Sequence, residues 1–323
     1  MTAIVVNWNG AALLPACLDS LLDQSHADLR IVVVDNGSVD DSERVVKARA
    51  VDWIGLPSNI GLAGAYNEGA REATSDLLLF LNNDMRFPSD FVERMMACLE
   101  RNENCWAVDA VQRDWDDREV VHQGTALVKG PLRGRLPGWR FESVPTAADG
   151  KTVWPSGANT LIRRDVFERL GGWDNRFFAG YEDVDLGWRI WLAGGEVRIA
   201  TDAVCWHKVG SSSEGEGKPV RDAAAVHGPL LFALKHAPPS IAIAAIARSV
   251  LSLPGYAVRL NADRLRRHFD ALTGAMVEMP RAIRERRRIY RSGVATPRKL
   301  WATFGSLFST AAPHGRAPGR CLS

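Results

Sequence analysis

Residues 76–85 read DLLLFLNNDM, and the fold follows from them. Five consecutive apolar residues, 77–81, have the length of a fully buried strand, and the run stops at Asn82, Asn83 and Asp84. In an open α/β sheet, ligands bind beyond the carboxyl ends of the strands. A polar triplet ending in a carboxylate there suits a divalent metal held against a diphosphate, because hard oxygen ligands suit Mg²⁺ or Mn²⁺. Taken alone, the triplet is also an ordinary Asn-Asp turn.

Upstream, apolar runs of strand length alternate with helical patterns. Residues 3–6 form a first strand, and Leu13, Leu14, Cys17, Leu18, Leu21 and Leu22 mark one face of a helix after it. Residues 31–34 form a second strand, ending in Asp35, Asn36, Gly37 and Ser38. Residues 53–56 form a third, and Asn59, Gly61 and Gly64 open a helix that runs to about Ala73. This βαβαβαβ succession predicts a mostly parallel, Rossmann-like sheet with helices on both faces.

Downstream, the pattern predicts a helix over 89–101 and strands over 106–111, 120–128 and 153–162, with Gly157 and Asn159 allowing close backbone approach to a ligand. Residues 129–151, rich in Gly, Pro and Arg, read as a loop over the site. Residues 171–195, GGWDNRFFAGYEDVDLGWRIWLAGG, put Val184, Trp188, Trp191 and Leu192 on a buried helical stripe with Gly194 as the terminating cap. Glu182, Asp183 and Asp185 then lie at the helix N-terminus, facing a cleft or solvent. Carboxylates there serve either chemistry or simple capping of the helix dipole. In residues 203–213, AVCWHKVGSSS, His207 follows a short strand and can reach a metal or a phosphate. Residues 214–218, EGEGK, read as a segment that orders on substrate.

Composition narrows the class. Hydrophobic content of 46% and charged content of 24% over 323 residues fit a soluble globular protein with a substantial core. Net charge is +2, but from residue 240 onward there are 15 Lys and Arg against 4 Asp and Glu, which leaves −9 on the first 239 residues. Five cysteines without a CxxC pair argue for reduced, cytosolic thiols and against a disulfide framework or a zinc site. No basic leader precedes the first strand, and no apolar window reaches the roughly 20 residues of a spanning helix. From residue 220 the chain is helical, and residues 269–291 combine Leu272, Met276, Met279 and Ile283 with Arg284, Arg286, Arg287 and Arg288. Such a basic amphipathic helix either lies on an anionic membrane surface or packs on the catalytic body. No nucleic-acid motif accompanies the charge, so no nucleic-acid partner is expected. The first strand is followed by NWNG rather than GxGxxG, which excludes an ordinary dinucleotide oxidoreductase.

Several stretches in one order carry a resemblance: IVVNWNG at 4–10, VVVDNGSVDDS at 32–42, SNIGLAGAYNEG at 58–69, LNNDM at 81–85, and the 171–195 block. Together they resemble family 2 glycosyltransferases, most closely the bacterial rhamnosyltransferase-like branch, over residues 1 to about 236. The resemblance implies a GT-A fold over 1–236, followed by a basic, mainly helical extension over 237–323. It implies a nucleotide-diphosphate-sugar donor, a divalent metal (Mg²⁺ or Mn²⁺) and inversion at the anomeric carbon. By position it places Asn7, Asn9, Asp35, Asn59, Gly61, Asn67 and Asn83 with the donor, Asp35 on the base or ribose. It places Asp84, His207 and Asn82 with the metal, Asn82 standing where the general DxD pattern has a carboxylate. It makes Asp183 the general base, with Glu182 as the fallback.

A sugar hydroxyl is a poor nucleophile at neutral pH, so a carboxylate must take its proton as it attacks, and charge gathering on the diphosphate must be stabilised. The expected activity is an inverting transfer of a sugar, rhamnose as first choice, from a dTDP- or UDP-sugar. The acceptor is a hydroxyl of a lipid-linked or polysaccharide substrate in cell-surface glycan synthesis. The expected location is cytoplasmic, at the inner face of the membrane. The competing expectation is a catalytically degenerate nucleotide-sugar-binding scaffold in a synthase complex. Asp185, Asp40 and Asp41 are expected to brace or cap helices, and Trp8, Trp154 and Trp206 to pack in the core rather than stack on ligand.

Overall fold

The computed structural model describes residues 1–130, 136–143, 150–178, 180–208, 217–258, 262–292, 301, 302 and 304. The first half alternates as the sequence pattern predicts: β1 (Thr2–Asn7), α1 (Leu14–Leu22), β2 (Arg30–Asp35), α2 (Ser42–Lys47), β3 (Asp52–Gly55), α3 (Leu62–Glu72) and β4 (Leu77–Asn82). There follow β5 (Met85–Arg86), α4 (Phe91–Glu100), β6 (Cys105–Asp114), β7 (Val120–His122), β8 (Thr125–Lys129), β9 (Trp139–Ser143), β10 (Lys151–Thr152) and β11 (Asn159–Arg163). The chain continues through α5 (Arg164–Leu170), α6 (Glu182–Leu192), β12 (Glu196–His207), α7 (Gly217–His236), α8 (Pro239–Val258) and α9 (Ala262–Ser292).

The main sheet runs β3-β2-β1-β4-β11-β6-β12-β10. Strands β3, β2, β1 and β4 are parallel, whereas β11 enters antiparallel between β4 and β6. Helices cover both faces. Leu14, Cys17 and Leu18 of α1 and Phe91, Val92 and Met95 of α4 close one core, while Tyr66 of α3, Phe167 of α5 and Leu186 and Ile190 of α6 close the other. Along α1 the stripe is narrower than expected, because Leu22 is exposed. A third buried cluster joins Trp154 and Trp188 to Leu231 and Phe232 of α7, Ala245 of α8, Leu272 of α9, and Trp301. The expected domain boundary at residue 236 falls between α7 and α8, and this cluster crosses it.

Two segments depart from the periodicity for identifiable reasons. The single strand expected over 120–128 is two, broken at Gly124, whose φ of +143° turns the chain from the main sheet into a separate β8-β9 pair. The strand expected over 153–162 begins only at Asn159, because Pro155 cannot donate to a ladder and residues 153–158 run as an irregular crossing. The expected loop over 129–151 contains β9, paired throughout with β8. Most of the EGEGK segment lies outside the described residues.

The basic helix packs on the body. Arg176 pairs with Asp174, with Glu278 at 3.5 Å and with Glu285, and Arg286 donates to the carbonyl of Ala237 at 2.6 Å. α9 continues through Pro280. Among the described residues no helix is long and apolar enough to cross a membrane.

Candidate active site

Three parallel strands end at one edge, and their terminal side chains are tied together. Asn7, last in β1, donates from Nδ2 to Oδ1 of Asp35 at 2.8 Å, and its Oδ1 accepts from Nδ2 of Asn83 at 2.6 Å. Asp35 also accepts the Ser38 amide at 2.9 Å and its hydroxyl at 2.5 Å. Asn9 holds the same turn, accepting the Val39 amide at 2.9 Å. Asn59 accepts the Gly61 amide at 2.9 Å and the Asn36 carboxamide at 3.0 Å. Gly61 has a φ of +84°, and a Cβ there would meet the carbonyl of Phe178 at 2.7 Å, so the chain needs glycine. Beside this edge lies a cleft of about 370 Å³, lined by Asp35, Ser38, Asp40, Trp53, Gly55 and Leu56 among others. Asp40 caps the start of α2, accepting the Ser42 amide at 3.1 Å. Asn67 is turned elsewhere, clasping the Trp173 backbone with both ends of its carboxamide at 2.8 and 3.0 Å.

The end of β4 meets the end of β12. Pairing of His207 with Met85 brings Nε2 of His207 to 3.2 Å from Oδ1 of Asp84, both groups nearly buried. The imidazole is oriented from behind, with Nδ1 2.8 Å from Oε1 of Gln112, whose Nε2 donates to Ser156 Oγ at 2.6 Å. An amide oxygen only accepts, so Nδ1 carries a proton and Nε2 is the ring atom that faces the carboxylate. A carboxylate and an imidazole nitrogen converging in this way fit a cation. Among the described residues no third His, Cys, Asp or Glu joins them. A hard divalent cation is compatible with so few protein ligands when phosphate oxygens and water complete its shell. Asn82 Oδ1 accepts from the hydroxyl of Tyr66 at 3.0 Å.

The expected acidic cluster divides into three environments. Tyr181, in the left-handed region at φ +76°, turns the chain into α6 and is packed between Phe141 and Phe232. Glu182 is buried, and among the described residues its Oε2 has no hydrogen-bond partner. Burial raises its pKa and the adjacent Asp183 raises it further. Asp183 is only half-buried and is raised too, by desolvation, against the backbone amides of Val184 and Gly157 and the imidazole of His122. Burial thus raises both members of this adjacent pair, and Asp183 is the one that reaches solvent. A half-open carboxylate with a raised pKa is suited to accept a proton near neutral pH.

Asp185 faces neither cleft nor solvent. Its fully buried carboxylate holds Arg189 at 2.7 Å, Lys235 at 2.5 Å and His236 at 2.7 Å, and Lys235 also reaches Asp174 at 2.6 Å. The bracing expected of Asp185 therefore ties α6 to α7. Trp154 is a core residue, whereas Trp206 stacks on Arg86, 4.6 Å from its ring centroid. Sequence reading missed Tyr66, Asp109, Gln112, His122 and Ser156. The available signal was Asp109, a carboxylate inside the otherwise apolar run from Cys105 to Val111, with Gln112 directly after it.

Comparison with known proteins gives the family and the fold. Over 237 residues, 66% of this chain and 77% of the relative, the sequence is 26% identical to the N-acetylglucosaminyl-diphospho-decaprenol L-rhamnosyltransferase of Mycobacterium tuberculosis. It is 24% identical over 203 residues to the poly-beta-1,6-N-acetyl-D-glucosamine synthase of Staphylococcus epidermidis, matching 62% of this chain and only 47% of that protein. Similar solved folds include the mannosyltransferase PcManGT of Pyrobaculum calidifontis in complex with GDP-Man and Mn²⁺ (TM-score 0.54, 20% identity, 86% of each chain). Another is S. aureus TarS 1-349 (TM-score 0.52, 15% identity, 90% of this chain and 82% of that one). A model of glycosyl transferase family group 2 matches residues 138–223, and the model of glycosyl transferase family 2 matches residues 2–171, more than half of the chain. With a GT-A fold and that match, the protein belongs to glycosyl transferase family 2.

Proposed function

We propose that the protein is an inverting glycosyltransferase that moves a sugar, rhamnose as first choice, from a dTDP- or UDP-sugar to a hydroxyl of a lipid-linked or polysaccharide acceptor. The observation that carries this reading is the half-open Asp183 beside an edge where Asp84 and His207 converge at 3.2 Å. The Asn7–Asp35–Asn83 bridge and the 370 Å³ cleft hold the nucleotide. Asp183 accepts the hydroxyl proton as the oxygen attacks the anomeric carbon from the side opposite the diphosphate, which inverts the configuration. Asp84 and His207 would hold Mg²⁺ or Mn²⁺, which supplies positive charge to the diphosphate as the bond to sugar breaks.

Residues 1–236 carry transfer and 237–323 form the extension, which sets the protein on the inner face of the cell membrane. Support for that comes from exposed Ile243, Val250 and Leu251 on α8 and Phe269, Met276 and Val277 on α9, followed by exposed Arg281, Arg284, Arg287 and Arg288. Deleting residues 269–323 would strip Leu272, Ala275 and Ala282 from the buried cluster they share with Leu231 and Phe232 of α7, so substitutions test this better. Leu251→Asp with Val277→Asp should release the protein from phosphatidylglycerol vesicles, and undiminished binding sinks the membrane role.

The decisive assay is thermal stabilisation by nucleotide diphosphates and their sugars with Mn²⁺, Mg²⁺ or EDTA. A metal-dependent shift with dTDP or UDP ligands, lost in Asp84→Ala, is expected. Stabilisation by a nucleotide sugar with neither transfer nor hydrolysis would instead favour the degenerate scaffold.

A further inference from the structure

One more buried couple lies beside the acid pair and has no part in the scheme above. Asp109, in the middle of β6, is fully buried, and its carboxylate accepts from Nε2 of His122 at 2.7 Å. It also accepts the Ser156 amide at 2.8 Å, the Ser156 hydroxyl at 3.1 Å and the Ala110 amide at 2.8 Å. The Asp109 carboxylate, already taking these three donors, also holds Nε2 of His122, which leaves the ring's second nitrogen, Nδ1, outside the couple. The His122 side chain is 12% exposed, which gives that ring an open edge.

The crossing between β10 and β11 fixes where the couple sits. The Ser156 amide bonds Asp109, and the next amide, of Gly157, bonds Asp183. A Cβ on Gly157 would lie 3.2 Å from Oε1 of Glu182 and 3.7 Å from Cβ of Asp183. The Asp109–His122 couple and the acid pair therefore flank one dipeptide, and His122 is within electrostatic reach of Asp183. Glu182 and His122 are the titratable groups acting on Asp183, from α6 and β7, with Asp109 of β6 behind the imidazole.

We propose that His122, oriented by Asp109, binds the acceptor, its Nδ1 forming a hydrogen bond with a hydroxyl next to the one that Asp183 deprotonates. The proposal rests on the transfer reading above and adds a specificity determinant to it. A sugar acceptor offers adjacent hydroxyls of similar reactivity. Holding one on the imidazole leaves its neighbour facing the base, so the couple selects which oxygen is glycosylated.

Two measurements on the full chain test this. In carboxyl ¹³C NMR across the acidic and neutral range, His122→Gln should raise the titration midpoint of Asp183, because a group that opposes its rise is removed. An unchanged midpoint would place the two residues apart and overturn the proposal whatever acceptor is used. With N-acetylglucosaminyl diphosphate on a short polyprenyl chain as probe, His122→Gln and Asp109→Asn should raise the acceptor KM about tenfold, the size of one neutral hydrogen bond. The donor KM and the nucleotide-sugar thermal shift should stay as in the wild type, and the product of His122→Gln should contain a second linkage. An unchanged acceptor KM, or equal losses for donor and acceptor, overturns the proposal alone. A wild-type protein stabilised by no nucleotide sugar overturns the transfer reading and this proposal with it.

Discussion

Replacing Lys235 with Met should destabilise the protein by about 3 kcal/mol at neutral pH and by progressively less as Asp174 protonates toward pH 2. Lys235 is almost fully buried and lies 2.6 Å from Asp174 and 2.5 Å from Asp185, linking the loop before α6, α6 itself and α7. Methionine keeps the length and apolar stem while removing the charge. Removing one partner of a buried ion pair typically costs about 3–5 kcal/mol, because a desolvated charge is left uncompensated. The carboxylates give a second figure. Burial by itself would raise Asp174, but Arg176 and Lys235 hold it down at about 2 instead of 3.8, worth about 2 kcal/mol at neutral pH. Asp185, also pushed up by burial, is held well below its ordinary value by Arg189, Lys235 and His236. Arg176, Arg189 and His236 remain in the variant, so the lower end of the range applies. Both pKa values are depressed in the folded state, so their contribution is complete above about pH 5 and is lost as pH falls through the folded values. Urea denaturation followed by tryptophan fluorescence at several pH values measures the gap between wild type and variant. A gap under about 1 kcal/mol at pH 7, or one that stays constant down to pH 2.5, would refute the argument.

Asp183→Asn should lower turnover by about 10² to 10⁴ while leaving the nucleotide-sugar thermal shift intact, as expected for loss of a proton acceptor; a loss below tenfold would pass the role to Glu182. In the wild type, burial raises Asp183, and only its ionised form accepts a proton, so turnover should fall on the acid side with a midpoint above the ordinary carboxylate range. A pH-rate profile still flat at pH 4.5 would contradict this. Gly10→Ala would put a Cβ 2.0 Å from Nδ2 of Asn83 and 2.3 Å from Oδ1 of Asn7, forcing their hydrogen bond apart. The expected cost is about 1–3 kcal/mol, with loss of stabilisation by nucleotide diphosphates; a full-sized nucleotide shift would show that the bridge does not shape the donor edge.

The parallel half of the sheet was readable because its signals are local. Buried strands such as Leu77–Asn82 are nearly unbroken apolar runs, and their polar ends mark the ligand edge directly. The strands after residue 115 were harder to read, because Gly124 and Pro155 act through backbone geometry inside stretches whose side chains still look strand-like. Glu182, Asp183 and Asp185 are indistinguishable by composition. Their separation into buried, half-open and ion-paired groups depends on α7, whose Lys235 lies 61 residues from Asp174 in the chain. Asn67 shows the same limit: a polar residue in a motif-like stretch clasps the Trp173 backbone 106 residues away.

The antiparallel entry of β11 has a consequence for mutational mapping. Because that strand runs against β4, it brings its beginning to the ligand edge, and the contribution of residues 156–157 there comes largely from main-chain amides. A scan that truncates side chains leaves those amides in place. Ser156→Ala removes a hydroxyl but keeps the donor to Asp109. At Gly157, by contrast, any added side chain approaches Glu182 at 3.2 Å. A tolerance map of this protein should therefore show a quiet stretch beside its acid pair, broken only at a glycine, so apparent indifference to substitution there is a sign of backbone function rather than of distance from the chemistry.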